Sequence, residues 1–201
     1  MNPRQAYECA LKSSPGEKTR TIVCLDPYYA YIYALNIDKG PKEDTRNAVY
    51  KNPLHTFLYA KNIDKCSRRD TRKAVCKDPE FAYKYALDID KHPDEETRRA
   101  ACKSPEYAYK YTKDIDKCSR NDTREAACKS PEYAYFYAKD VDEGPREDTR
   151  KVACKNPQFA YEYAINVDKD FHEDTHYATW CTTYEEKYEE FLNNKMKEEI
   201  I

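Results

Sequence analysis

The amino-acid sequence repeats itself every 26 residues, and this period constrains the fold more than any other feature of the chain. Thr recurs at Thr19, Thr45, Thr71, Thr97, Thr123, Thr149 and Thr175. Arg follows it at Arg20, Arg46, Arg72, Arg98, Arg124 and Arg150, and His176 follows it in the last case. Pro recurs at Pro27, Pro53, Pro79, Pro105, Pro131 and Pro157. Residues 19–174 therefore form six full copies without an insertion. A unit this short cannot bury an apolar face alone, whereas stacked units can. Residues 1–18 carry Pro3, Ala6, Tyr7 and Ala10, which reproduce the second half of a copy and suit an N-terminal cap. Residues 175–201 begin as a copy and then depart from it, as a C-terminal cap would.

Each copy reads as two helices. A short one is predicted to start at the Thr, with Asp or Glu before it as N-cap (Asp44, Asp70, Glu96, Asp122, Asp148, Asp174). A longer one is predicted to start at the Pro, behind Asp26, Asn52, Asp78, Ser104, Ser130 and Asn156, all good N-caps. It should run about 11 residues, because the apolar positions keep a helical period that far. Ala108, Tyr111, Thr112 and Ile115 stand at i, i+3, i+4 and i+7, as do Ala30, Tyr33, Ala34 and Ile37. The expected architecture is all-α: a right-handed solenoid of six 26-residue two-helix repeats with a C-terminal capping helix, one domain overall. At roughly 9–10 Å per layer, six copies would span about 55–60 Å. In the cap, Thr183 and Glu186 offer a capping box, and Tyr184, Tyr188, Phe191 and Leu192 an apolar stripe.

Composition narrows the function. The 35 Lys and Arg are offset by 37 Asp and Glu, which argues against a nonspecific polyanion binder. Three Gly leave little room for phosphate-cradling loops, and GxGxxG, P-loop and GxSxG motifs are absent from the sequence. No apolar run approaches the roughly 18 residues of a membrane span. Residues 1–20 lack the apolar core of a signal peptide, and nine Cys without a CxxC pair read as reduced thiols. A cytoplasmic protein is expected, without membrane association.

Chemically suggestive residues have structural explanations. His172-Glu173-Asp174-Thr175-His176 matches a zinc-protease pattern, but the repeat register puts His172 and Glu173 in the turn before the helix. Cys24, Cys76, Cys102, Cys128 and Cys154 share one slot and read as small buried filler. No metal site, cofactor or catalytic residue is expected. The Arg after each Thr needs a partner, and the candidates are the helix-ending Asp38, Asp64, Asp90, Asp116, Asp142 and Asp168, in a ladder that would fix the stacking register. Tyr31, Phe57, Tyr83, Tyr109, Tyr135 and Tyr161 form a further row, suited to packing between copies or to facing a ligand.

The repeat resembles the leucine-rich repeat variant family, a helical solenoid of short tandem units. The comparable stretch is Thr149-Arg150-Lys151-Val152-Ala153-Cys154-Lys155-Asn156-Pro157, ending Ala164-Ile165-Asn166-Val167-Asp168. The resemblance covers nearly the whole chain. It departs in placing Tyr and Ala where that family prefers Leu, and in a slightly longer unit. HEAT-like repeats are the neighbouring alternative. The resemblance implies a solenoid that serves as an interaction scaffold and transfers no catalytic residue.

Differences between copies point to the candidate site. Slots one, five and eight after the Pro share the outer side of the long helix. Later copies mostly fill them with charged or amide residues, as Glu106, Lys110 and Lys113. The first two copies hold Tyr28, Ile32 and Leu35, then Leu54 and Leu58, and Leu25 stands where other copies have Lys. Such an apolar patch is expected to bind a partner protein, with two competing explanations: a homodimer through the N-terminal repeats, or cover by the N-terminal half-copy. The expected function is a non-enzymatic protein-interaction module that binds or occludes its partner, a role that a viral or phage-encoded inhibitor of a host factor would use. The alternative is a nucleic-acid-binding solenoid using the row Lys51, Lys77, Lys103, Lys129 and Lys155.

Overall fold

A computed structural model of the chain describes residues 1–13 and 15–198. Ser14 of the N-terminal cap and residues 199–201 of the C-terminal cap lie outside the described residues. Among the described residues the secondary structure is helical, with no strand, and the helices recur as adjacent pairs. Helix α1 (Pro3–Lys12) comes first. The pairs are then α2 (Glu17–Val23) with α3 (Pro27–Tyr33), α4 (Glu43–Val49) with α5 (Pro53–Tyr59), α6 (Arg69–Val75) with α7 (Pro79–Tyr85), and α8 (Glu95–Ala101) with α9 (Pro105–Tyr111). They continue as α10 (Asn121–Ala127) with α11 (Pro131–Asp140), α12 (Glu147–Ala153) with α13 (Pro157–Tyr163), and α14 (Glu173–Thr179) with α15 (Glu185–Glu198). The chain divides into two compact units, the first ending at Ala101 and the second starting at Cys102.

The long helices start where the sequence predicts. Pro is the first residue of each from α3 to α13, and Asp26, Asn52, Asp78 and Asn156 accept backbone N–H bonds with their side chains. Ser104 and Ser130 hold the N-cap position without a side-chain bond.

The short helices start two residues before the predicted Thr. Lys42, Arg68, Arg120 and Arg146 are the N-caps, and none offers a capping side chain. The acceptor comes instead from the second helix of the same copy. Tyr59 Oη accepts from the Lys42 N–H at 3.0 Å and shares a 3.0 Å hydrogen bond with Thr45 Oγ1. Tyr85 repeats this with Arg68 (2.9 Å) and Thr71 (2.7 Å), and Tyr163 with Arg146 and Thr149 (both 2.9 Å). The Asp predicted as N-cap lies inside the first helical turn, where its charge suits the positive end of the helix.

These tyrosines are the core. Tyr33, Tyr59, Tyr85, Tyr111, Tyr137, Tyr163 and Tyr188 are fully buried. Ala30, Ala34, Ala48 and Val49 surround Tyr59, and their small size lets the helices approach closely. Burial pushes the Tyr59 and Tyr163 hydroxyls above their usual range, which keeps them protonated.

Five long helices end in a feature the periodicity does not reveal. A π-helical turn follows α3 (Ala34–Asp38), α5 (Ala60–Asp64), α7 (Ala86–Asp90), α9 (Thr112–Asp116) and α13 (Ala164–Asp168). Lys65 N–H bonds Ala60 O at 2.8 Å, five residues back, and Lys91 does the same with Ala86 O at 2.8 Å. Each turn stops at a left-handed Lys: Lys39, Lys65, Lys91, Lys117 and Lys169 have φ between 52° and 58°. The α11 copy continues as regular helix to Asp140 and places Glu143 in that conformation.

Candidate functional site

The Arg–Asp pairs assemble as the sequence suggests, with a different consequence. Arg20 binds Asp38 at 2.7 Å, Arg46 binds Asp64 at 2.6 Å, Arg72 binds Asp90 at 2.9 Å and Arg150 binds Asp168 at 2.6 Å. Each pair joins the two helices of one copy, so it closes the copy rather than setting the register between copies. Register comes from second contacts, Arg72 to Asp94 at 3.2 Å and Arg124 to Asp148 at 2.9 Å. The Asp hydrogen bonds hold Arg20, Arg46 and Arg72 above the usual guanidinium value. The copy without a π turn is the internal control. There the Arg124–Asp142 distance opens to 3.7 Å, and Asp142 Oδ2 is buried without a hydrogen-bond partner among the described residues. The wider turn thus aims the carboxylate at its Arg. These arginines are engaged in ion pairs within the fold.

The aromatic row packs between copies. Tyr31 Oη accepts from Asn62 Nδ2 of the next copy at 2.8 Å, and Tyr135 Oη from Asn166 Nδ2 at 3.0 Å. Tyr109 donates to Asp140. Phe57 meets Phe81 at a tilt of 40°, with ring centroids 6.2 Å apart. Phe57, Tyr109 and Tyr135 are buried, and Tyr31, Tyr83 and Tyr161 half-buried.

The repeated thiols are half-buried C-caps of the short helices, more open than the filler expected. Burial pushes Cys24 and Cys128 up to about 11 and Cys154 up to about 12. Cys66, Cys118 and Cys181 are exposed. At the metalloprotease-like pattern, His172 is itself the N-cap of α14 and accepts from Asp174 N–H through Nδ1 at 3.2 Å. Glu173 falls inside the helix, which starts two residues earlier than the register predicts. The two histidines do not share a helical face, so the pairing that zinc chemistry needs does not form.

Lys51, Lys77, Lys103, Lys129 and Lys155 are exposed in the turn between the helices of their copies. Lys77 Nζ donates to Tyr50 O at 2.9 Å, neutralising the carbonyl end of α4.

The outer patch lies within the first unit. Leu25, Tyr28, Leu35 and Leu54 are 69%, 48%, 39% and 40% exposed, while Ile32 and Leu58 are half-buried. Leu58 also packs beside the cluster of Phe57, Val75 and Tyr85, which makes it part core. Helix α1 does not cover the patch: Ala6 and Ala10 pack against Val23 and Tyr33 instead. His55, which sequence reasoning passed over, lies inside the patch with its ring 5.8 Å from Tyr28 and 6.5 Å from Tyr31. Its Nδ1 is buried with no hydrogen-bond partner among the described residues, and burial holds its pKa below the usual value. Leu87 occupies slot eight of the third copy and is 39% exposed, extending the row. Its two charged slot-mates, Glu80 and Lys84, masked it in the sequence.

Two open depressions of about 630 and 640 Å³ lie at matching places, one beside Arg146, Glu147 and Lys151, the other beside Arg68, Asp70 and Lys73. Their walls are charged side chains that pair with one another, Lys151 with Glu147 at 2.5 Å and Arg68 with Asp70 at 3.2 Å. Comparison with protein-family models, curated proteins and solved structures finds no match to the chain.

The bonds ahead of α15 are not the reciprocal Thr183–Glu186 capping box that the sequence suggests. Thr182 Oγ1 accepts from Tyr184 N–H at 3.2 Å, and Glu185 Oε2 accepts from Cys181 N–H at 2.9 Å. Tyr188 is buried and shares a 3.0 Å hydrogen bond with Thr175, taking the place of the repeat tyrosine. Tyr184, Phe191 and Leu192 are half-buried along the same stripe.

Proposed function

We propose that the chain is a non-enzymatic protein-interaction module, a helical solenoid of the leucine-rich repeat variant or HEAT-like kind, whose first two copies bind a partner protein. One observation carries this reading: Leu25, Tyr28, Leu35 and Leu54 stay exposed while α1 packs on Val23 and Tyr33 instead. Equivalent slots elsewhere hold Lys51, Glu80 and Glu106, so the same backbone accepts charge there. The exposed row presents Leu and Tyr without a paired charge among them, which suits an apolar protein surface.

The double variant Leu25→Lys with Leu54→Glu tests the patch, since other copies carry those residue types at those slots. Its melting temperature should stay unchanged while capture of a partner from native extract, identified by mass spectrometry, is lost. Loss of a dimer in light scattering would instead assign the patch to self-association. The solenoid itself is tested by small-angle scattering, which should give a radius of gyration above about 16.5 Å, the compact-globule value for this length.

A further inference from the structure

The seventh copy departs from the others at several slots on or beside α14. Tyr177 stands where the other copies have Thr21, Asn47, Lys73, Arg99, Glu125 and Lys151. Trp180 replaces the recurring Cys, Phe171 replaces Pro or Ser, and His176 replaces Arg. Phe171, Tyr177 and Trp180 are 53%, 60% and 52% exposed. The Tyr177 and Trp180 rings lie within 5° of parallel with centroids 6.0 Å apart. His176 sits 5.6 Å from Trp180 and 5.4 Å from Phe171, which joins the three rings into one aromatic surface.

A carboxylate borders this surface. Glu173 precedes Tyr177 by four residues on α14, so these two share one helical face, and Trp180, the C-cap residue, joins them through its parallel ring contact with Tyr177. In two other copies the acid at this slot is bound by the cation at the Tyr177 slot: Glu95 by Arg99 and Glu147 by Lys151, both at 2.5 Å. Glu173 makes no such ion pair among the described residues. The seventh copy has therefore kept the anion, lost its cation and gained exposed ring faces.

A guanidinium is complementary to that arrangement. It is planar and weakly hydrated, stacks on aromatic faces and binds a carboxylate through paired N–H donors. An ammonium matches the carboxylate but stacks poorly. We propose that Glu173, Tyr177 and Trp180 receive an arginine side chain from a segment of a partner protein. This surface shares no residue with the N-terminal patch and stands independently of it.

Trp180 is the one tryptophan of the chain, so its fluorescence reports on this surface in the intact protein. The probes are a short acetylated and amidated Gly-Arg-Gly-Arg-Gly peptide, its Lys counterpart and its citrulline counterpart, which keeps the planar group without the charge. The Arg peptide should change Trp180 emission saturably, the Lys peptide should bind about tenfold more weakly, and the citrulline peptide should not bind. Glu173→Gln should weaken the Arg peptide about tenfold. Tyr177→Lys, which rebuilds the salt bridge of Glu147 and Lys151, should abolish binding with an unchanged melting temperature. Equal binding of the Arg and Lys peptides, no saturable change at millimolar peptide, or full binding by Tyr177→Lys would each overturn the proposal. So would a dimer that Tyr177→Lys dissolves, because the occupant would then be a second copy of the chain.

Discussion

The second copy and the seventh close their helix pairs on the same plan with different parts. In the second, the Arg46 guanidinium lies 5.9 Å from the centre of the Tyr59 ring and binds Asp64 at 2.6 Å. In the seventh, the His176 ring lies 5.7 Å from Tyr188, and Nε2 stands 3.3 Å from Glu189. The carboxylates differ most: the Asp64 side chain is 1% exposed and that of Glu189 53%. The spacing from Thr to Tyr also shortens, from 14 residues to 13. What survives the breakdown of the repeat is the Thr–Tyr hydrogen bond; what is replaced is the ion pair. The tyrosine hydroxyl is therefore the requirement of the fold, because without it the short helix would begin on an unsatisfied N–H. The ion pair is the requirement of an interior position, where a buried Asp must be neutralised.

The largest expected effect separates those two roles. Arg46→Ala strands a buried Asp64 and should cost about 3 kcal/mol of stability. His176→Ala removes a partly exposed pair and should cost less than about 1 kcal/mol. Denaturant unfolding of both variants checks this, and equal losses would break the distinction. A second comparison concerns the left-handed residues. Lys169 in a closed copy has φ 54°, and Cys181 in the seventh copy has φ 54° as well. Replacing either with Gly should relieve a left-handed side chain and stabilise by about 1 kcal/mol in thermal unfolding. A loss at Lys169 alone would mean that its side chain does more than end the turn. The smallest change in structure is read by the thiols. Burial pushes Cys154 up to about 12, whereas Cys181 is exposed. Only the thiolate reacts, so iodoacetamide at pH 8 should label Cys181 at least about tenfold faster than Cys154, measured by peptide mass spectrometry.

The sequence carries much of this arrangement and omits definite parts of it. Pro with Asp or Asn before it marks the long helices because both residues act locally, on the first turn of the helix they begin. The Arg–Asp pairs are legible because both members recur at a fixed separation of 18 residues. The start of the short helix is misplaced because its capping oxygen belongs to Tyr59 or Tyr163, which is remote in sequence from Lys42 or Arg146. The π turns leave no signature, since Ala60 to Asp64 suits an i→i−4 bond as well as the i→i−5 bond that Lys65 makes. At the candidate site, exposure of Leu25 and Leu54 follows from the slot pattern, but the partial burial of Ile32 and Leu58 depends on neighbours the pattern does not contain. The aromatic face of α14 was hidden because Trp180 and Tyr177 read as parts of a degenerate cap.

The closing bonds of a copy stay inside that copy, Thr to Tyr over 14 residues and Arg to Asp over 18. The contacts between copies join slots that recur, as Tyr31 to Asn62 and Tyr135 to Asn166 do, both over 31 residues. Excising 26 residues in register from the interior of a run, or inserting as many, thus orphans no partner. Copy number is for this chain an inheritable variable, open to recombination between similar repeats, with the two terminal surfaces free to stay as they are while the number of copies between them changes.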